Sequence, residues 1–298
     1  MKIFDCTNYF NEDMMYGLRL KILDKYVDKF VVAEARYSHS GESKKLNFDI
    51  NRYPNFKDRI IYIVVDNEPD DLSDLKDLSY DQAQGMKRMN SLKRIKQQYD
   101  ALSKGIKDAS QDDLIILSDC DEIPNLENLE QLDFHKILIF KQLLFYYKFD
   151  LHHDEMTWHG SKGCLKKDLK TFNWLRNVKN KKYNFLRIDT YFSKNKYINI
   201  KIIENGGWHF TNIKSPKDIV MKLSNFGEHN EFEMSDIDVE KMTKLVKERK
   251  VYFNHTADKS DLNKYSYGHQ LKKIDKDLLP KYLVDNYSKF KDWFEFDL

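Results

Sequence analysis

Two aspartates, Asp119 and Asp121, directly follow the apolar run Leu114-Ile115-Ile116-Leu117-Ser118 and precede Glu122-Ile123-Pro124. The run reads as a buried strand, and the acids fall where it must end. In an extended backbone alternate side chains share a face, so the two carboxylates are expected to converge on one point. Hard carboxylates at the carboxyl end of a core strand suit Mg²⁺ or Mn²⁺ carrying a diphosphate, the chemistry of a nucleotide-sugar site. Aspartates also gather at strand ends as turn residues. The apolar run before this pair and the Glu-Ile-Pro after it favour the metal.

His209, in Gly206-Gly207-Trp208-His209-Phe210, is the second informative residue. The glycines allow close backbone approach, and alternation sets His209 opposite its two large apolar neighbours. Its imidazole suits either completion of a metal shell or a hydrogen-bonded place in the core. His152-His153-Asp154-Glu155 with His159 resembles a zinc set only superficially. Adjacent strand histidines face opposite ways and no cysteine supports them, so a solvated loop is expected. The lysines of 241–250 alternate with acids as a solvated face. No phosphate-cradling glycine loop and no Gly-x-Ser-x-Gly nucleophile elbow occurs.

Positioning these residues requires a sheet. Lys2 to Cys6, Phe30 to Ala33 and Arg59 to Val65 read as strands, with an amphipathic helix after the first. A long polar helix over 81–104 leads to the strand before Asp119. Strands alternating with helices imply a mostly parallel sheet whose ligands bind beyond the strand carboxyl ends. Glu34, Asp66 and Asp119 all fall there. Ile137 to Phe149 is a further apolar run, and Tyr183 to Ile203 carries strand-like alternation. From Ser215, an N-cap followed by Pro216, helices are expected to dominate. Residues 254–268 read as a lid or surface loop. No repeat and no linker divides the chain, so one domain is expected.

The 298 residues suffice for a sizeable core, and 41% hydrophobic with 33% charged residues is ordinary for a globular enzyme. A net charge of +2 gives no case for nucleic-acid binding. Cys6, Cys120 and Cys164 imply no disulfide framework. No segment reads as a signal peptide or membrane helix, so a soluble, cytoplasmic protein is expected.

Several blocks, in order, resemble glycosyltransferase family 17. They are Phe4-Asp5-Cys6 with Asn11-Glu12 and Arg19-Leu20, Val27 to Glu34, and Ser40 to Leu46. Asp119 to Pro124, Gly207 to Phe210, and Leu279 to Leu283 with Asn286-Tyr287 complete the series. The resemblance spans nearly the whole chain and is looser in its carboxy-terminal half. It implies an α/β, GT-A-type fold, with a mostly parallel central sheet flanked by helices and a helical C-terminal part. Residues 1–124 would form the nucleotide-sugar half and 125–298 the acceptor half.

It also implies inverting transfer of N-acetylglucosamine or a related hexose from a UDP-sugar donor to a glycan acceptor, with Mn²⁺ or Mg²⁺ as cofactor. The ion is assigned to Asp121 first, then Asp119, with His209 completing the shell. Glu34 is the candidate for the nucleoside and Lys44 and Arg88 for phosphate charge. Asp66 and Trp208 join them on the cofactor-binding side. Glu231 is the candidate base, with Glu228 and Glu204 behind it. The competing readings are a metal-dependent nucleotidyltransferase or phosphohydrolase, and an inactive glycan-binding relative.

Overall fold

The computed structural model describes residues 1–127, 129, 136–226, 229–233, 235–257, 261, 264–266 and 268–297. The chain opens with β1 (Ile3–Asn8), α1 (Asp13–Leu23), β2 (Lys29–Ala35), β3 (Ile60–Val65), α2 (Tyr80–Ala101) and β4 (Leu114–Ser118). β1 pairs in parallel with β2 and β4, and β3 pairs in parallel with β2. The four apolar residues opening β4 are buried on both faces, with Leu114 and Ile116 in one core cluster and Ile115 and Leu117 in the other. A strand enclosed on both sides loses the polar alternation of a half-exposed one, which explains its unbroken apolar run. α2 begins with a capping box in which Ser79 and Gln82 satisfy each other's backbone N–H. It stops before Lys104, because a tight turn over Leu102–Ile106 carries Leu102 and Ile106 into the core.

The next elements are β5 (Glu122–Pro124), β6 (Ile137–Tyr146), β7 (Leu151–Leu165), α3 (Phe172–Asn177), α4 (Asp189–Phe192), β8 (Ile200–Ile203) and β9 (Gly207–Thr211). α5 (Pro216–Asn225), α6 (His229–Glu233), α7 (Val239–Lys247), β10 (Lys250–Val251), β11 (His269–Gln270), β12 (Lys272–Lys273), α8 (Lys281–Asp285) and α9 (Tyr287–Phe290) complete the chain. The main sheet runs β3-β2-β1-β4-β7-β6-β9-β5, with β8 beside β6 and β12 beside β7. Its amino-terminal strands are parallel as expected; β7 reverses direction and makes the sheet mixed. This is a mixed α/β architecture, a central sheet flanked by helices with a helical carboxy-terminal region, consistent with a GT-A-like fold.

The link between β4 and β5 shapes the site. In a flat sheet these strands would stand four spacings apart, about 19 Å. Four residue steps, from Ser118 to Glu122, reach at most about 14 Å. The sheet therefore curls, bringing β5 back over β6 and β7. Gly207 makes this possible. Its φ is +124°, and a Cβ there would run into the Ile123 carbonyl oxygen, so β9 can approach β5 only through glycine.

Two expectations are corrected. His152–Glu155 and His159 belong to β7 rather than to a solvated loop, and His153 is buried, stacked on His269 at 4.2 Å between ring centroids. Strand structure in 183–203 is confined to β8. Ser215 caps α5 with Pro216 at its first position, as expected. Part of 254–268 lies outside the described residues. The three cysteines are free and buried, and no described helix is long and apolar enough to cross a membrane.

Candidate active site

The acidic block is a turn, not an extended strand. Glu122 N–H donates to the Asp119 carbonyl at 3.0 Å, which rotates the two aspartates apart. Asp119 Oδ1 accepts the Tyr99 hydroxyl from α2. Asp121 accepts the Lys222 ammonium of α5 at 3.0 Å and lies 3.5 Å from His209 Nε2. The antiparallel pairing of β5 with β9 sets Glu122 opposite His209, and Phe210 N–H donates to the Asp121 carbonyl at 2.9 Å.

The turn is held from beneath by Arg19 of α1, which is fully buried. Its Nε and Nη2 donate to the Asp5 carboxylate at 2.7 and 2.5 Å. Its Nη1 donates to the carbonyls of Asp119 at 3.3 Å and Glu122 at 2.5 Å. A planar guanidinium can meet a carboxylate and two carbonyls at once, which an ammonium cannot do in that geometry.

Burial alone would push the Asp121 carboxyl up. The Lys222 charge, with the hydrogen bond and charge of His209, outweighs it and holds Asp121 well below the usual carboxylate range. Burial likewise lowers His209, but its hydrogen bond to Asp121 and the charges of Asp121, Glu122 and Asp119 leave it raised. Glu122 is raised by burial and by Asp119. Its carboxylate accepts Asp119 N–H at 2.9 Å and Trp158 Nε1–H at 2.6 Å. Asp119, Glu122, Tyr99, Trp158, Lys162 and Arg176 line a cavity of about 190 Å³. Within it, burial brings the Lys162 ammonium down to about 8.

Among the described residues, no three His, Cys, Asp or Glu side chains converge as a ready metal-ligating group. The residues nonetheless fit a divalent ion that arrives with a diphosphate. Asp121 already holds one cation, the Lys222 ammonium, and His209 presents Nε2 beside the same carboxylate at 3.5 Å. Mg²⁺-type sites commonly combine one or two protein ligands with phosphate oxygens and water.

The other expected site residues scatter. The buried Glu34 carboxylate accepts from Lys44, Asn47 N–H at 2.8 Å, Phe48 N–H at 3.0 Å and the Tyr62 hydroxyl at 2.9 Å. Glu34 and Lys44 thus pin the 44–48 segment to β2. Asp66 makes an exposed pair with Arg36. The Trp208 indole turns to the face opposite His209, where Nε1 donates to the Leu278 carbonyl at 2.7 Å. Arg88 and Glu231, assigned separately to phosphate and base, pair with each other at 3.0 Å, and Lys264 contacts the second Glu231 oxygen at 2.6 Å. Arg88 lies eleven residues before Tyr99, about 16 Å along α2. The ion pairs of Glu231 thus run to Arg88 and Lys264, and those of Asp121 to Lys222 and His209. Glu204 is an exposed partner of Lys141, and Glu228 lies outside the described residues.

Sequence reasoning missed Lys222, Glu122, Tyr99, Trp158 and the turn-holding role of Arg19. Only Glu122 and Arg19 had a local signal, since both sit within blocks already singled out. The mixed α/β sheet, the acidic turn at the end of β4 and the Gly-Trp-His strand beside it now stand together as one assembly. No curated protein matches the chain. Residues 1–294 match the model of glycosyltransferase family 17, and the chain belongs to that family.

Proposed function

We propose that the protein is an inverting, metal-dependent glycosyltransferase that moves N-acetylglucosamine or a related hexose from a UDP-sugar to a glycan acceptor. Family membership supports sugar transfer in general. The observation that carries the finer reading is Asp121, an ionised carboxylate at the end of a core strand, facing the Lys222 ammonium and the Nε2 of His209. Asp121 and His209 would hold the ion, with Asp119 turned toward the cavity rather than the metal. When bound, a divalent ion neutralises charge developing on the leaving diphosphate. Lys222 keeps Asp121 ionised, and Arg19 fixes the turn that aims it.

The acceptor hydroxyl must lose a proton to a carboxylate. Glu231 has both oxygens committed to cations, whereas Glu122 is held by neutral donors beside the cavity and its pKa is raised. Glu122 therefore takes the base role in this reading. Glu231→Gln is expected to lower kcat/KM by less than about tenfold, short of the 10²–10⁴-fold typical of a lost general base. A loss of about 10³-fold with the pH profile abolished would return the role to Glu231.

Calorimetric titration of UDP with and without Mn²⁺ tests the donor site. Binding that requires the metal is the expected result. Turnover of a nucleoside triphosphate or phosphoester without any sugar acceptor would favour the phosphohydrolase reading instead.

A further inference from the structure

Residues 179–196, between α3 and β8, carry an unusual surface. Within eight residues Phe185, Leu186, Ile188, Tyr191 and Phe192 are 67, 71, 73, 66 and 85% exposed. The segment is ordered from within, so this is not a stretch that simply failed to pack. Leu186 N–H donates to Asn184 Oδ1 at 3.0 Å, Tyr191 Oη to the Phe185 carbonyl at 3.1 Å, and the buried Thr190 hydroxyl to the Arg187 carbonyl at 2.7 Å. Its hydrogen bonds close inward while its apolar side chains point out.

The charge is equally uneven. Residues 179–196 contain six Lys or Arg and a single Asp, a balance of +5 in a chain whose total is +2. Arg187 and Lys196 both clamp that Asp189. Among the described residues, no carboxylate pairs with Lys179, Lys181, Lys182 or Lys194. Clustered exposed apolar side chains mark an interaction site. With basic flanks, they match the boundary of an anionic bilayer, where rings and aliphatic chains enter the acyl edge and lysines meet phosphate.

We propose that residues 183–192, flanked by these lysines, dock the protein onto an anionic membrane surface. Asn180, at the start of the segment, also lines the cavity beside Asp119 and Glu122. Docking would therefore set the cavity next to head groups, and, on the proposed transferase function, the acceptor would be a glycan carried on a lipid.

The test is co-sedimentation of the full chain with phosphatidylcholine vesicles, with and without phosphatidylglycerol. Wild type should bind the anionic vesicles, less so at high salt. Phe185→Ser/Phe192→Ser and Lys181→Glu/Lys182→Glu should each weaken binding at least about tenfold. Unchanged thermal melting would show that both variants fold, and unchanged UDP binding would show an intact donor site. Failure of wild type to bind anionic vesicles overturns the docking whatever UDP does. So does a concentration-dependent dimer lost in Phe185→Ser/Phe192→Ser, which would make a second copy the occupant. Vesicle binding without UDP binding would instead retire the donor assignment and leave the docking standing.

Discussion

Asp121→Ala should abolish metal-dependent UDP binding and lower transfer by about 10³-fold or more, the scale of losing one preorganised electrostatic contact. The side chain contributes little packing at its strand end. It does hold the Lys222 ammonium, and both groups are mostly withdrawn from water, 12 and 19% exposed. Removing one partner of such a pair strands the other charge, at a cost of about 3 kcal/mol. Asp121→Ala/Lys222→Met should recover most of that stability in urea titrations without recovering UDP binding. The two readouts separate a structural ion pair from a ligand. Substantial transfer by the folded single variant would remove the metal assignment. Because the folded Asp121 pKa is depressed, its stabilisation is full above the unfolded carboxylate's pKa, about 3.9, and is lost as pH falls below it toward the folded value.

Arg19→Ala should destabilise the protein by about 3–5 kcal/mol, the range for breaking a buried ion pair by deleting one partner. The Asp5 carboxylate would be left without its guanidinium partner inside the sheet, and the carbonyls of Asp119 and Glu122 would lose their shared donor. Arg19→Lys should recover only part of this, because an ammonium cannot reproduce the fork. Both variants should also weaken UDP binding under conditions where they remain folded, since the turn that aims Asp121 is no longer fixed. Denaturant midpoints and calorimetry on the same samples check this. A loss below about 1 kcal/mol in Arg19→Ala would show that water replaces the guanidinium.

Much of the frame was legible because it rests on local patterns. The runs of β1 to β4, the Ser215-Pro216 helix start and the acids at a strand end all follow from periodicity and capping. What failed was nonlocal. A single i to i+3 hydrogen bond across Asp119–Glu122 turned two aspartates expected to converge into neighbours facing different elements. β7 was hidden because its polar residues sit on a strand paired with β6 and β12, where His152 and His153 meet the rings of Phe145 and His269. Arg88 and Glu231, 143 residues apart, neutralise each other, and Lys222 reaches Asp121 across 101 residues. No window of sequence contains both members of either pair.

The edge position of β5, whose only ladder partner among the described residues is β9, also fixes when the site can exist. As the chain leaves the ribosome, the acidic turn emerges with the first strands, but Gly207–Thr211 and Lys222 follow some hundred residues later. At about 5–20 residues per second that interval lasts roughly 5–20 s. During it Asp121 stays solvated, with neither His209 nor Lys222 yet made. The nascent amino-terminal sheet can fold around Arg19 and Asp5, yet it has no assembled centre until the later strand arrives to close it.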